Sequence, residues 1–199
     1  MKLFMVGASP FARKVRAVGV QLGLEDRLEI VIFNPHKRPP DLVAQNPLSK
    51  VPTLIDDDGR PHIDSYTICE YLATLASDSD LIPQSGEPRR LVLFRHALAH
   101  GIMEAAVTRR LESLRAPEPD RLGWIQTQRQ TIARTLDWFE ADPALDGPLT
   151  LDRLTLAAAL GFLDFRFPDD GWRAGRPRLT DWQEKTDLSP ALDRTRPFD

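Results

Sequence analysis

Hydrophobic and polar positions follow two different rhythms along this chain, and the change from one to the other divides it. Lys2-Leu3-Phe4-Met5-Val6 is a short run of strand-forming residues, closed by Gly7-Ala8-Ser9-Pro10. Beyond that break Phe11, Val15, Val18 and Leu22 recur at helical spacing, and Gly23 supplies the stop. Leu28 to Phe33 reads as a second strand. A crossover of this length predicts that the two strands run parallel in a right-handed unit. Thr53-Leu54-Ile55, the acidic turn Asp56-Asp57-Asp58-Gly59 and His62-Ile63 predict a hairpin, and Ile68, Leu72 and Leu75 mark a helix after it.

From Ser77 to Pro88 the sequence becomes polar and rich in turn formers, as a domain linker is. Only helical periodicity follows. Leu91, Phe94, Leu98, Ile102 and Ala105 form one stripe; Trp124 or Ile125 with Ile132, Leu136 and Phe139 form a second; Leu151, Leu154, Ala158, Phe162 and Phe165 form a third. The expected organisation is a small α/β domain over residues 1–77, a linker over 78–88 and an all-helical domain over 89–199. Periodicity does not fix the Pro/Arg-rich tail from Arg176 to Asp199.

Composition narrows the classes of function. With 26 basic and 29 acidic residues evenly spread, neither half carries the excess positive charge of a nucleic-acid or anionic-membrane binder. No apolar stretch is long enough for a bilayer span, and Met1 leads straight into a strand, so a soluble cytoplasmic protein is expected. The one cysteine, Cys69, rules out an intrachain disulfide and a cysteine-based metal cluster.

Three local features can carry chemistry. Ser9-Pro10, at a strand-to-helix junction, pairs a preferred N-cap with a preferred first helical residue. The same helix end offers free N–H groups to an anion, and the hydroxyl can donate to a thiolate or oxyanion. In Asn46-Pro47-Leu48-Ser49-Lys50-Val51-Pro52-Thr53-Leu54, Pro52 lacks a ladder donor and must open a strand or lie on an edge. The Val51–Pro52 step permits a cis bond, which would leave the Val51 backbone unpaired; a plain trans strand entry is the other reading. Asp64-Ser65 reads as a helix cap. As a pair, the carboxylate can hold an ammonium while the hydroxyl and helix amides hold a carboxylate, together the head of an α-amino acid.

Ser9-Pro10-Phe11-Ala12-Arg13-Lys14-Val15-Arg16, the Asn46–Leu54 segment and Asp64-Ser65-Tyr66-Thr67-Ile68-Cys69-Glu70-Tyr71-Leu72 together resemble the N-terminal domain of a bacterial cytosolic glutathione transferase with a serine-type active site. The following all-helical domain extends the resemblance over nearly the whole chain. It implies a thioredoxin-like α/β domain plus an all-α domain, glutathione as co-substrate without a metal, a small electrophilic second substrate, and a homodimer. It places Ser9 beside the glutathione sulfur with Phe11 nearby, Val51 pairing with the tripeptide before a cis-Pro52, and Asp64 with Ser65 at the γ-glutamyl end. Lys50 and the His36-Lys37 pair are candidates for the glycyl carboxylate. His100, Met103, Glu104 and Val107, on the helix after the linker, are candidates for lining the second-substrate pocket. A ligand-binding or regulatory protein of the same fold, or a glutathione-dependent isomerase, reductase or dehalogenase, fits the same motifs.

The sequence also departs from the family pattern. Thr150 stands at the N-cap of a helix where the family places an aspartate three residues later, and Arg153 occupies that position. An arginine cannot accept the N-cap N–H, so the reciprocal box is lost unless Asp152 substitutes. Ser9 at the position of the cysteine-type nucleophile argues against thiol exchange. Cys69, in an apolar helical context, is expected to be a buried structural thiol. His96 and His100 share a helix face, but the third ligand that a metal site needs is missing from their pattern.

Overall fold

Strand β1 (Lys2–Met5) is buried at three of its four positions, and it is the centre from which the small domain grows. In the computed structural model, which describes residues 1–76 and 79–199, β1 pairs in parallel with β2 (Glu29–Ile32) and antiparallel with β3 (Thr53–Ile55). β3 in turn pairs antiparallel with β4 (Pro61–Ile63), giving the order β2-β1-β3-β4. The β3–β4 turn is held by Asp56, whose Oδ1 accepts from the amides of Asp58 and Arg60, with Gly59 at φ +80°.

Helix α1 (Pro10–Gln21) crosses between β1 and β2. It ends in a Schellman arrangement: the Gly23 amide donates to Val20 and the Leu24 amide to Gly19, with Gly23 at φ +69°. Between β2 and β3 lie a 3₁₀ turn, Pro35–Lys37, and the short helix α2 (Pro40–Gln45), which the hydrophobic pattern did not mark. Helix α3 (Ser65–Thr74) closes the domain. The expected boundary at residues 77 and 78 falls on Ser77 and Asp78, outside the described residues. Helix α4 (Gly86–Ser113) begins inside the expected linker, because Gly86 to Pro88 already form its first turn.

The second domain consists of α4, α5 (Pro119–Ala141), α6 (Leu151–Arg166), α7 (Pro177–Thr186) and α8 (Pro190–Asp193). The tail thus holds two helices, each opened by a proline at its first position. One apolar core runs through both domains, from Leu3 and Val15 to Met103, Leu154 and Leu192. The stripes are met in part. Ile132, Leu136 and Phe139 are buried and Ile125 is half-buried, while Trp124 is 52% exposed and Gln128 turns inward. On α4, Phe94 points out and packs edge-on against Trp138.

Helix α1 is enclosed by α3 on one side and by α6 and α8 on another. Arg13 and Lys14 are therefore buried within an otherwise amphipathic helix. The Arg13 guanidinium donates to the Leu192 carbonyl, faces Asp187 at 3.6 Å and lies over Gly161, where any Cβ would collide with it.

Thr150 does cap α6 in backbone geometry, but its hydroxyl accepts no helix N–H and donates to Asp152 Oδ1 at 2.5 Å. Asp152 does not rebuild the reciprocal box, since the Thr150 amide donates to Pro148. Arg153 organises the entry differently. It donates to the carbonyls of Ala144, Leu145, Asp146 and Pro148 and to Thr150 Oγ1, at 2.6–3.2 Å. Replacing it leaves several carbonyls to find water at once, so Arg153→Ala is expected to cost about 1–3 kcal/mol in thermal or urea unfolding. A loss below a few tenths of a kcal/mol would show that the loop holds without it.

Candidate functional site

The site forms where three chain segments converge beside the C-terminal end of β1. The first is the start of α1. Ser9 has extended backbone angles, its hydroxyl accepts the Ala12 amide at a long 3.3 Å, and Pro10 holds the first helical position. Accepting uses a lone pair only, so the Ser9 O–H remains free to donate to a group above the helix end.

The second segment is the loop into β3. Asn46 is buried and acts as its hub: Nδ2 donates to Lys50 O and Thr53 Oγ1, and Oδ1 accepts the Leu48 amide. Ser49, at φ +50°, donates to Pro35 O and so ties the Lys50 loop to the turn carrying His36 and Lys37. Lys37 and Lys50 are both exposed. The Val51–Pro52 peptide is cis. Among the described residues neither the amide nor the carbonyl of Val51 has a backbone partner, which leaves one donor and one acceptor at the site's edge.

The third segment is the start of α3. Asp64 caps it, with Oδ1 accepting the Tyr66 amide at 2.7 Å, from a backbone at φ +70°. A non-glycine residue there carries strain of about 1–3 kcal/mol. Ser65 follows, only 2% exposed, and its hydroxyl has no partner among the described residues. A buried hydroxyl left unpaired costs folding energy unless a ligand completes it.

Behind these segments lies a cluster that joins the two domains. Lys14 Nζ is 3.2 Å from His96 Nε2 and 3.5 Å from His100 Nδ1. The His96 ring lies against Tyr66 and the His100 ring against Phe11. Burial first, then the Lys14 charge and His100, push His96 down to about 3, so it is neutral. His100 is lowered by burial and by Lys14, although Glu104 and Asp64 oppose the shift. Of the remaining pocket candidates, Glu104 is exposed with Oε1 3.7 Å from His100 Nε2, Val107 is half-buried, and Met103 is fully buried in the core.

Residues 8–75 match the family model of the glutathione S-transferase N-terminal domain, and residues 122–184 match that of its C-terminal domain. Over 99% of its length the chain is 31% identical to the uncharacterized GST-like protein YibF of Escherichia coli (strain K12), covering 98% of that protein. The chain belongs to the glutathione S-transferase family. A glutathione transferase family member from Pseudomonas fluorescens Pf-5, solved with bound glutathione, is 36% identical to it and superposes with a TM-score of 0.94, with 100% and 99% of the two chains covered. Glutathione S-transferase 3 of Zea mays is 28% identical over 98% of this chain and 92% of its own.

In this glutathione S-transferase family member Cys69 lies at the back of the cluster, fully buried. Burial pushes its thiol up to about 12, with Lys14 opposing and Asp64 adding to the shift. Because the thiolate is the reactive form, native Cys69 is expected to resist an aromatic disulfide reagent at pH 8 and to react only on unfolding. Rapid native labelling would contradict its burial.

A separate cleft of about 380 Å³ lies in the helical domain between Arg109, Arg129, Asp170 and Arg176. None of the candidate site residues read from the sequence lines it. Arg109 and Arg129 both face Asp170, and Arg176 binds Asp137, so these arginines fasten helices together. Among the described residues no group of three or more His, Cys, Asp and Glu side chains could hold a metal, and no helix is long and apolar enough to cross a membrane.

Sequence reasoning missed Lys14, because a lysine beside an arginine on a helix reads as solvent-facing. It also gave Asn46 no role. The Asn-Pro step before a Val-Pro strand entry was the one signal for a loop needing an internal hub.

Proposed function

We propose that this chain binds glutathione and activates its sulfur as a thiolate for attack on a small electrophilic molecule, as a cytoplasmic homodimer. The observation that carries this reading is the unpartnered Ser65 hydroxyl, buried at the N-terminus of α3 beside the strained cap Asp64. That pairing suits the head of a γ-glutamyl group, with Asp64 holding the ammonium and Ser65 with the helix amides holding the carboxylate. The free Val51 amide and carbonyl suit the peptide portion, and Lys37 or Lys50 the glycyl carboxylate.

The thiol then falls at the start of α1. A thiol has an ordinary pKa of about 8.5, so most of it is protonated at neutral pH. A hydrogen bond from Ser9 to the charged sulfur is worth about 1.5–3 kcal/mol, and the helix end adds about 0.3–1 kcal/mol. Together these interactions make the thiolate the major form near neutrality without a general base. A homodimer is supported by exposed apolar side chains on both domains, Leu48 and Ile63 on one and Phe94 with Trp138 on the other.

Turnover of glutathione with aryl halides, epoxides, peroxides and disulfides tests the reaction class. Conjugation of a halide or epoxide is expected; glutathione binding with no turnover of any of them would make the chain a binding protein. Ser65→Ala tests the site. Its hydroxyl has no internal partner, so thermal stability should hold while glutathione affinity falls about tenfold or more. Unchanged affinity would remove Ser65 from the site.

A further inference from the structure

The buried arginines of this chain each face a carboxylate: Arg13 faces Asp187, and Arg109 faces Asp170. Lys14, fully buried, does not. Its ammonium meets two imidazole nitrogens and nothing anionic within hydrogen-bond reach among the described residues. A buried cation without a counter-charge is costly.

The groups that face Lys14 do not neutralise it. From α3 come Cys69, a thiol held protonated, Tyr66, a phenol raised further by burial, and Asp64, whose carboxylate lies at the surface capping the helix. From α4 come His96 and His100, both shifted toward the neutral form, and Glu104, exposed on the far side of His100. On the same helix end the Ser65 hydroxyl is also unpartnered. One unmatched ammonium and one unmatched hydroxyl thus lie near the N-terminus of α3.

We propose that Lys14 is a positioning residue whose charge, fixed by His96 and His100, makes the N-terminus of α3 selective for ligands bearing a carboxylate. Resting on the glutathione reading, that group is the α-carboxylate of the γ-glutamyl moiety. Lys14 does not touch the ligand. It acts through a low-dielectric layer where a charge is poorly screened, while the imidazoles keep its flexible stem from swinging away.

The test compares glutathione with 4-aminobutyryl-cysteinyl-glycine, which lacks only the α-carboxylate, by calorimetry on the wild-type protein and on Lys14→Met. Lys14→Met is expected to weaken glutathione about tenfold and the analogue hardly at all, with the thiolate absorbance of bound glutathione titrating as in wild type. Equal weakening of both ligands, unchanged glutathione affinity or a shifted thiol pKa would overturn the proposal. Failure of the wild-type protein to bind either ligand would instead overturn the glutathione reading beneath it.

If Lys14→Met does not fold, the wild-type protein decides alone. Burial holds the Lys14 pKa below its ordinary value, and an arriving carboxylate favours the charged form. At about pH 10.4, the ordinary lysine value, glutaryl-cysteinyl-glycine should therefore take up more protons than butyryl-cysteinyl-glycine, an amine-free pair that differs only in this carboxylate, measured in buffers of different ionisation enthalpy. Equal proton exchange would rule out the role of Lys14.

Discussion

Ser9→Ala is expected to raise the pKa of glutathione bound to this protein by about one to two units, and to slow conjugation at neutral pH in proportion to the lost thiolate. The substitution removes two things at once. The cap bond to Ala12 is long at 3.3 Å, so its loss is expected to cost about 0.5–1 kcal/mol of stability. The hydrogen bond donated to sulfur is the stronger of the two, because its acceptor is charged. Thiolate absorbance against pH separates them, since a cap has no effect on the bound thiol. Ser9→Thr keeps the hydroxyl and should shift the titration less. If Ser9→Ala only lowers the melting temperature and leaves the titration in place, the helix amides alone hold the thiolate and Ser9 is a cap.

Arg95→Met is expected to produce the largest stability loss, about 3–5 kcal/mol, or a fall in melting temperature of roughly 2–4 °C for each kcal/mol. Arg95 binds Asp142 through two hydrogen bonds, at 2.6 Å and 3.2 Å, and both side chains are largely buried. The loss comes mainly from the Asp142 carboxylate left without its partner. Burial alone would raise the Asp142 pKa, but Arg95, the Ala144 amide and Arg153 outweigh it and hold the group below the usual range. A depressed folded-state pKa contributes stability above the unfolded value of about 4. That contribution fades as pH falls through the lower folded value. Wild type and Arg95→Met should therefore differ most at neutral pH and converge as pH falls below the depressed folded value. A difference independent of pH would mean the arginine acts through packing and not through the carboxylate.

The elements that the chain could announce locally are those whose signals are covalent or confined to a few neighbours. Ser9-Pro10 and Asp64-Ser65 start helices wherever they stand, because the first N–H groups need an acceptor and proline needs none. Gly23 and Gly59 occupy backbone that other residues enter only with strain. The parallel unit and the hairpin follow from run lengths and turn residues, and the burial of Cys69 follows from its apolar helical setting.

Burial of charge could not be read that way. Arg13 and Lys14 are inside because α1 is enclosed by helices distant in sequence, an arrangement no local pattern encodes. The same holds for Arg153, whose missing acceptor looked like a lost cap and whose five donors instead gather the loop before α6. Of Trp124 and Ile125, the structure turns Ile125 toward the core with Gln128 and leaves Trp124 outside, because α5 packs chiefly against α4 and α7 and keeps much of its surface in solvent. The sequence by itself determined where the strands of the small domain and the capped helices α1 and α3 begin and which residues bear hydroxyls and carboxylates at those helix ends. Only the tertiary structure decided which polar groups lose water without gaining a partner, Ser65 and Lys14 among them, because desolvation depends on every neighbour in space and not on the next residue in the chain.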